Sequence, residues 1–422
     1  MGKRFLVLIV VLMIALSGCN KGSSATDDKK DNDNNINSDE SAFSLDKNFV
    51  DANNTFALDF FKEMVGMEPD INLFISPASI SFLMAMVYNG ASDKTKDEMA
   101  SALKFEDMSL DKLNEQFRYL AASIDNVDPK IELDVANSGW VNDKTDEMIN
   151  ADFVEMNKKY YDAKFETLPF SDPKSLETIN AWVEDETKGK IKNLLSELSD
   201  NSLLILINTL YFKATWKDLF DKEMTEQQSF HVTNDTKKSV PMMYQKNEYH
   251  HLKGDNFLAV KLPYTNDKLS MILILPNEGI MIDDFVKGIT IDDWKKWMTS
   301  FTYGDVRLSF PRFTMDYKKK LKDVLEKMGV QLAFSDYATF PGICSKFPLM
   351  INDVIHQTYV DVNEEGTEAA AATAVDIVPV MAPSENDIFV FTADRPFIFV
   401  IQDERSNAIL FMGKMMDPGV EK

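Results

Sequence analysis

Cysteine is nearly absent: 422 residues carry two, Cys19 and Cys344. If Cys19 is committed elsewhere, Cys344 has no intramolecular partner, and packing rather than disulfides must hold the fold. Cys344 closes the apolar stretch Phe340-Pro341-Gly342-Ile343-Cys344 with no histidine nearby in sequence, which favours a buried structural thiol over a nucleophile. Histidine is scarce too. Of four, His250 and His251 are adjacent, so they would diverge on a helix and face opposite sides of a strand, which argues against metal catalysis. Basic residues are outnumbered, with 45 Lys+Arg against 68 Asp+Glu and a net charge of -23, so the surface repels nucleic acid and anionic lipid. The chain lacks a Gly-rich phosphate loop, a nucleophile elbow, a zinc motif and a thioredoxin-type cysteine pair. Carboxylates are plentiful, but an acidic surface supplies them without function, and a glycosidase pair ranks low. No catalytic residue, metal or cofactor is assigned.

What is present is a large apolar inventory, 45% hydrophobic and 11% aromatic, ample for a sizeable core. Lys3-Arg4 precedes an apolar run from Phe5 to Leu16, too short to span a bilayer but suited to a signal-peptide core. The tetrapeptide Leu16-Ser17-Gly18-Cys19 resembles a bacterial lipobox, which makes residues 1–18 a lipoprotein signal and Cys19 the lipidated first residue of the mature chain. A plain secretory signal that happens to contain a cysteine is the alternative; the small residues before Cys19 favour the lipobox. Losing Lys3 and Arg4 takes the charge from -23 to -25. Residues 19–45, rich in Asp, Asn, Ser and Lys without hydrophobic periodicity, read as a solvated acidic tether. Asp31-Asn32-Asp33-Asn34-Asn35 fails as a calcium loop, because Ile36 stands where Gly is needed and Ala42 where a bidentate Glu is needed.

From residue 46 to 422 we find one domain with no second linker and no repeat. Helical spacing marks Phe56–Val65 and, behind the Ser76-Pro77 start signal, Ile80–Tyr88. Apolar segments bounded by turn residues mark strands at Leu203–Phe212, Asn256–Leu262, Leu269–Leu275 and Ile388–Phe391. Leu349–Val362 alternates well enough for a long strand. Helices first and strands later predict an α+β fold with large antiparallel or mixed sheets.

Six blocks then become specific: Asn72-Leu73-Phe74-Ile75-Ser76-Pro77-Ala78-Ser79-Ile80; Ile179-Asn180-Ala181-Trp182-Val183-Glu184 with Thr187-Lys188-Gly189-Lys190-Ile191; Asn208-Thr209-Leu210-Tyr211-Phe212-Lys213-Ala214-Thr215-Trp216; Ser309-Phe310-Pro311-Arg312-Phe313; Val362-Asn363-Glu364-Glu365-Gly366-Thr367 followed by Glu368-Ala369-Ala370-Ala371-Ala372-Thr373; and Asp394-Arg395-Pro396-Phe397. In order and spacing they resemble the serpins, the match running on to Phe411-Met412-Gly413-Lys414. Ala214 departs from the family's usual Gly, and Ala338-Thr339-Phe340-Pro341-Gly342 from its usual Asp-Phe-Ser-Gly.

The resemblance implies a serpin fold: large mixed sheets, a cluster of about eight or nine helices, and an exposed reactive-centre loop over about residues 364–386. It implies a suicide-substrate inhibitor of serine proteases, with cysteine proteases that have apolar pockets as the alternative targets. The bait bond is Val380-Met381, counted from Gly366 in the family's register, and the apolar Ile377-Val378-Pro379-Val380 suits elastase-like or subtilisin-like enzymes. The hinge comprises Glu364, Glu365, Gly366, Thr367, Glu368, Ala369, Ala370, Ala371, Ala372 and Thr373. Among the residues that control opening of the main sheet, Ser76, Ser79, Asn208 and His356 match the polar cluster beneath it and Trp216 a residue at its top where insertion begins, although an ordinary buried histidine would explain His356 and an ordinary core side chain Trp216. The partner is a target protease held covalently, the inhibitor a monomer touching membrane only through lipid on Cys19, at the periplasmic face or cell surface of a bacterial envelope. By propensity alone Glu368–Ala374 reads as a surface helix or linker. The flanking blocks reverse that reading: on an inserted strand Thr367, Ala369, Ala371, Thr373 and Val375 share one uncharged, slender face. A non-inhibitory serpin-fold binding or sensor protein is the rival, which charged, bulky or Pro residues on that face would favour; an enzyme with an unrecognised site is a more distant third.

Overall fold

A computed structural model describes residues 45–124, 130–265, 267–367 and 388–419. Nine α-helices occur among them, several started by the side chains the sequence supplies. Ser76 caps the helix Pro77–Tyr88, its Oγ accepting from the Ser79 amide at 3.1 Å, with Pro77 at the first helical position where no N–H is required. Asp172 and Pro173 start the helix Pro173–Glu186 in the same way. The first helix runs Lys47–Met67, longer at both ends than its apolar spacing indicates.

Two sheets organise the rest. One has nine strands: Leu73–Ile75, Ile409–Met415, Phe397–Asp403, Leu269–Pro276, Phe257–Pro263, Lys237–Lys253, Thr302–Pro311 and Phe389–Thr392 in spatial order, with Glu226–His231 added to Lys237–Lys253. Its central strands Leu269–Pro276, Phe397–Asp403 and Ile409–Met415 are buried along their whole length, which is why they read as unbroken apolar runs. Phe74 stacks on both Phe399 and Phe411, with centroids at 5.6 and 5.3 Å.

The other sheet holds the features of interest. Its six strands are β1 Ile131–Asn142, β2 Lys164–Leu168, β3 Leu204–Thr215, β4 Phe313–Lys320, β5 Ile355–Asn363 and β6 Gly366–Thr367, in the order β4-β5-β6-β3-β1-β2. The helix Pro77–Tyr88 packs beneath β3, and Pro173–Glu186 covers the other face, where Trp140, Ile179, Val183 and Ile207 form a second apolar cluster. The fold is α+β, as the sequence indicates. The long strand read over Leu349–Val362 is a correction: pairing begins only at Ile355. Leu349–Asp353 is irregular, with the Ile351 amide on Ala333 O at 2.8 Å, while the Leu321 amide on Val354 O at 2.8 Å prolongs the β4–β5 ladder by one bond. Cys344 is free and buried, as its apolar surroundings imply.

Candidate functional site

β3 and β5 run parallel, and β6 lies antiparallel between them. Gly366 pairs with Asn363 and Thr215, Thr367 with Val362 and Ala214. Beyond Thr367, no described strand joins the facing edges of β3 and β5. A cavity of about 660 Å³ at the base of these strands is lined by Leu204, Leu206, Ile351, Val354 and Ile355.

The entrance to the gap is densely bonded. The Trp216 indole N–H donates to Asn363 O at 2.9 Å, the Trp216 amide to Glu365 O at 3.0 Å and the Phe220 amide to Glu364 O at 2.9 Å. Glu364, 3% exposed, accepts from the Thr225 hydroxyl at 2.7 Å, with Arg312 at 3.8 Å, while Glu365 is paired with Lys222. That bond holds the Lys222 ammonium above its ordinary pKa. Gly366 has φ +153°, and a Cβ there would stand 2.1 Å from Ala214 O, so only glycine passes this close to β3. Thr367 is fully buried, its hydroxyl 2.8 Å from that of Tyr264.

This corrects one expectation. Glu364 to Thr367, placed in an exposed loop, are inside the fold: Glu364, Gly366 and Thr367 are buried, and Thr367 already occupies the sheet. The physical reason is a complete set of partners for the hinge backbone, supplied by β3, β5, Trp216 and Phe220.

Six residues further along the gap lies the second node. The Ser76 amide donates to His356 Nε2 at 3.1 Å and the Ser76 hydroxyl to Leu410 O at 2.9 Å. The Ser79 hydroxyl donates to Asn208 Oδ1, and Asn208 donates to Asn137 Oδ1 at 2.8 Å. Ser76, Ser79, Asn208 and His356 therefore join the helix under the sheet to both strands that border the gap. Trp216 stands apart from them at the entrance, just past the end of β3, bonded to Asn363 and Glu365. Tyr264 was not singled out; its partner is 103 residues distant and no local pattern marks it. Glu368, Ala369, Ala370, Ala371, Ala372, Thr373, the Val380-Met381 bond and Cys19 lie outside the described residues.

Burial drives the His356 pKa from an ordinary 6.5 to about 4, since the cation would lose its water with no carboxylate to replace it. The neutral ring is the form that can accept from Ser76. With its folded pKa depressed, the unfolded chain binds more protons between those values, so stability is complete above about pH 6.5 and declines as pH falls. His356 alone should cost ~2 kcal/mol on going from pH 7 to pH 5. Urea unfolding of the native protein and His356→Gln at both pH values checks this; equal losses in the two proteins would exclude His356 as the cause.

A family model described as serpin (serine protease inhibitor) matches residues 51–418. An uncharacterized serpin-like protein of Thermococcus kodakarensis is 33% identical over 431 residues, 99% of each chain. The human leukocyte elastase inhibitor is 34% identical over 381 residues, 87% of this chain and 98% of its own. Among solved structures, the thermophilic serpin tengpin in its native state aligns with a TM-score of 0.81 at 29% identity, over 89% of this chain and 95% of that one. Human thyroxine-binding globulin in complex with thyroxine aligns at 0.79 and 29%, over 88% and 98%.

Proposed function

Because this chain belongs to the serpin family, we propose that it is a single-use inhibitor that offers the Val380-Met381 bond to a serine protease and traps the enzyme that cuts it. The protease serine oxygen forms an ester with the Val380 carbonyl carbon as the bond to the Met381 nitrogen breaks, the serine proton leaving on the new amine. The freed strand then enters the gap between β3 and β5, carrying the acyl-enzyme with it.

One observation carries this reading: β6 lies antiparallel between β3 and β5, and its register fixes where the next residues fit. Continued one residue at a time, that register sets Ala369 between Phe212 and Val360, Ala371 between Leu210 and Thr358, Thr373 between Asn208 and His356, and Val375 between Leu206 and Val354. Small side chains thus fall beside large ones, and the one hydroxyl falls beside the polar pair. The opposite face would carry Ala370 between Tyr211 and Tyr359 and Ala374 between Ile207 and Ile355, under the helix Pro173–Glu186. Glu368 comes between Lys213 and Asp361, near the mouth. A binding or sensor protein that never inserts its loop has no need of such a match, and we set that rival second.

The apolar Ile377–Val380 bait fits elastase-like or subtilisin-like enzymes. The resemblance of Leu16-Ser17-Gly18-Cys19 to a lipobox supports a place at a bacterial envelope, with a lipid tether on Cys19. Incubation with a panel of elastase-like, subtilisin-like and trypsin-like proteases should give a complex with an apolar-specific enzyme that survives denaturing gel electrophoresis. Cleavage of the loop by every such enzyme without any stable adduct would overturn the reading.

A further inference from the structure

The hinge is seated before any protease acts, so something must hold it there. Tyr264 follows Pro263 at the end of the strand Phe257–Pro263, and its ring lies flat on Trp216, with centroids 4.7 Å apart and planes 8° from parallel. The Trp216 indole is itself fixed by Asn363 O, and Phe212 meets the other aromatic edge-on at 5.2 Å. The phenol is thereby aimed at one point of the gap. Tyr264 and Thr367 are both completely buried, and among the described residues each hydroxyl has the other as its partner. Burial also raises the Tyr264 pKa well above that of an ordinary phenol, so the hydroxyl stays protonated.

We propose that Tyr264 is a positioning residue that grips Thr367 and keeps the hinge of the uncut molecule one rung inside the six-stranded sheet. The consequence for trapping rests on the inhibitory reading; the grip itself does not. After cleavage, strand insertion races hydrolysis of the acyl-enzyme. With β6 in place, the entropy of ordering the hinge has already been spent, and the next residue adds to a ladder with partners on both sides. Releasing the grip makes the first rung form after the cut, when time is short.

The test uses the intact, uncut protein as Tyr264→Phe, Thr367→Val and the double variant. Both substitutions preserve shape, and each removes the same hydrogen bond from a different side, so a folding defect in one leaves the other decisive. Amide hydrogen exchange in the Gly366–Thr367 segment should quicken about tenfold in either single variant, the effect of one buried hydrogen bond. The double variant should exchange no faster than the faster single one, and Thr367→Ser, which keeps the hydroxyl, should restore protection. More protease should also be turned over per complex trapped in both single variants, a ratio that a general loss of stability would not move in both alike. Unchanged exchange in both singles, or effects that add in the double, would overturn the grip. If the native protein traps no protease at all, the inhibitory reading falls, while the exchange measurements still decide the grip.

Discussion

Thr367→Arg should leave the loop fully cleavable and abolish trapping. Thr367 is fully buried between Val362 and Ala214, beside Tyr264, and the nearest hinge carboxylates are already engaged, Glu364 with Thr225 and Arg312 and Glu365 with Lys222. An unpaired guanidinium there would cost several kcal/mol in lost hydration, and ~4 kcal/mol is about a thousandfold in population. The cheapest response is for Gly366 and residue 367 to leave the sheet and take the charge to water. Only two residues move, so the uncut variant should melt close to the native temperature. After cleavage, however, every inserted register must pass residue 367 through the same buried position. Denaturing gels should show a cut loop and free protease, with no adduct. Because the structure already holds Thr367 inside, the variant also tests the resting state: its hinge amides should lose protection before any protease is added. A full yield of adduct would mean that insertion does not run through this position.

Much of the fold was legible because the relevant signals are local. Ser76 and Pro77 mark a helix start wherever the rest of the chain goes, and the apolar strands of the nine-stranded sheet announce burial on both faces. The alternation over Leu349–Val354 misled for the opposite reason: it reflects side chains packed around the cavity at the base of the sheet, while the Ile351 backbone bonds to Ala333 instead of a neighbouring strand. The hinge was located by composition, Glu364-Glu365-Gly366 followed by small residues. Its seating was not, because that depends on the Ala214 carbonyl, the Trp216 indole and the Tyr264 hydroxyl converging from distant segments. Sequence supplied the residues of the polar cluster, and Trp216 apart from them, through a resemblance; the bonds that tie Ser76 to His356 and Ser79 to Asn208 come from the structure.

Cleavage within Asp376–Ala382 should raise the melting temperature by at least about 10 °C. For a domain of this size the unfolding entropy is ~0.8 kcal/mol per degree, so that rise corresponds to ~8 kcal/mol of added stability. New backbone hydrogen bonds alone do not account for it: each returns about 1 kcal/mol net, while ordering each residue costs about 1–2 kcal/mol. The balance has to come from the uncut fold, in which no described strand joins β3 to β5 beyond Thr367 and a cavity lined by Leu204, Leu206, Ile351 and Val354 lies at their base. A strand inserted between them would complete the ladders on both edges. Charge in the path should cancel the gain: Ala371→Glu would place a carboxylate between Leu210 and the buried Thr358. Calorimetry of native and Ala371→Glu proteins, each before and after loop cutting, separates the two contributions. A native protein that melts at the same temperature cut and uncut stores no strain for a trap to use. A rise that survives in Ala371→Glu would mean that the severed segment stabilises the molecule from somewhere other than the sheet.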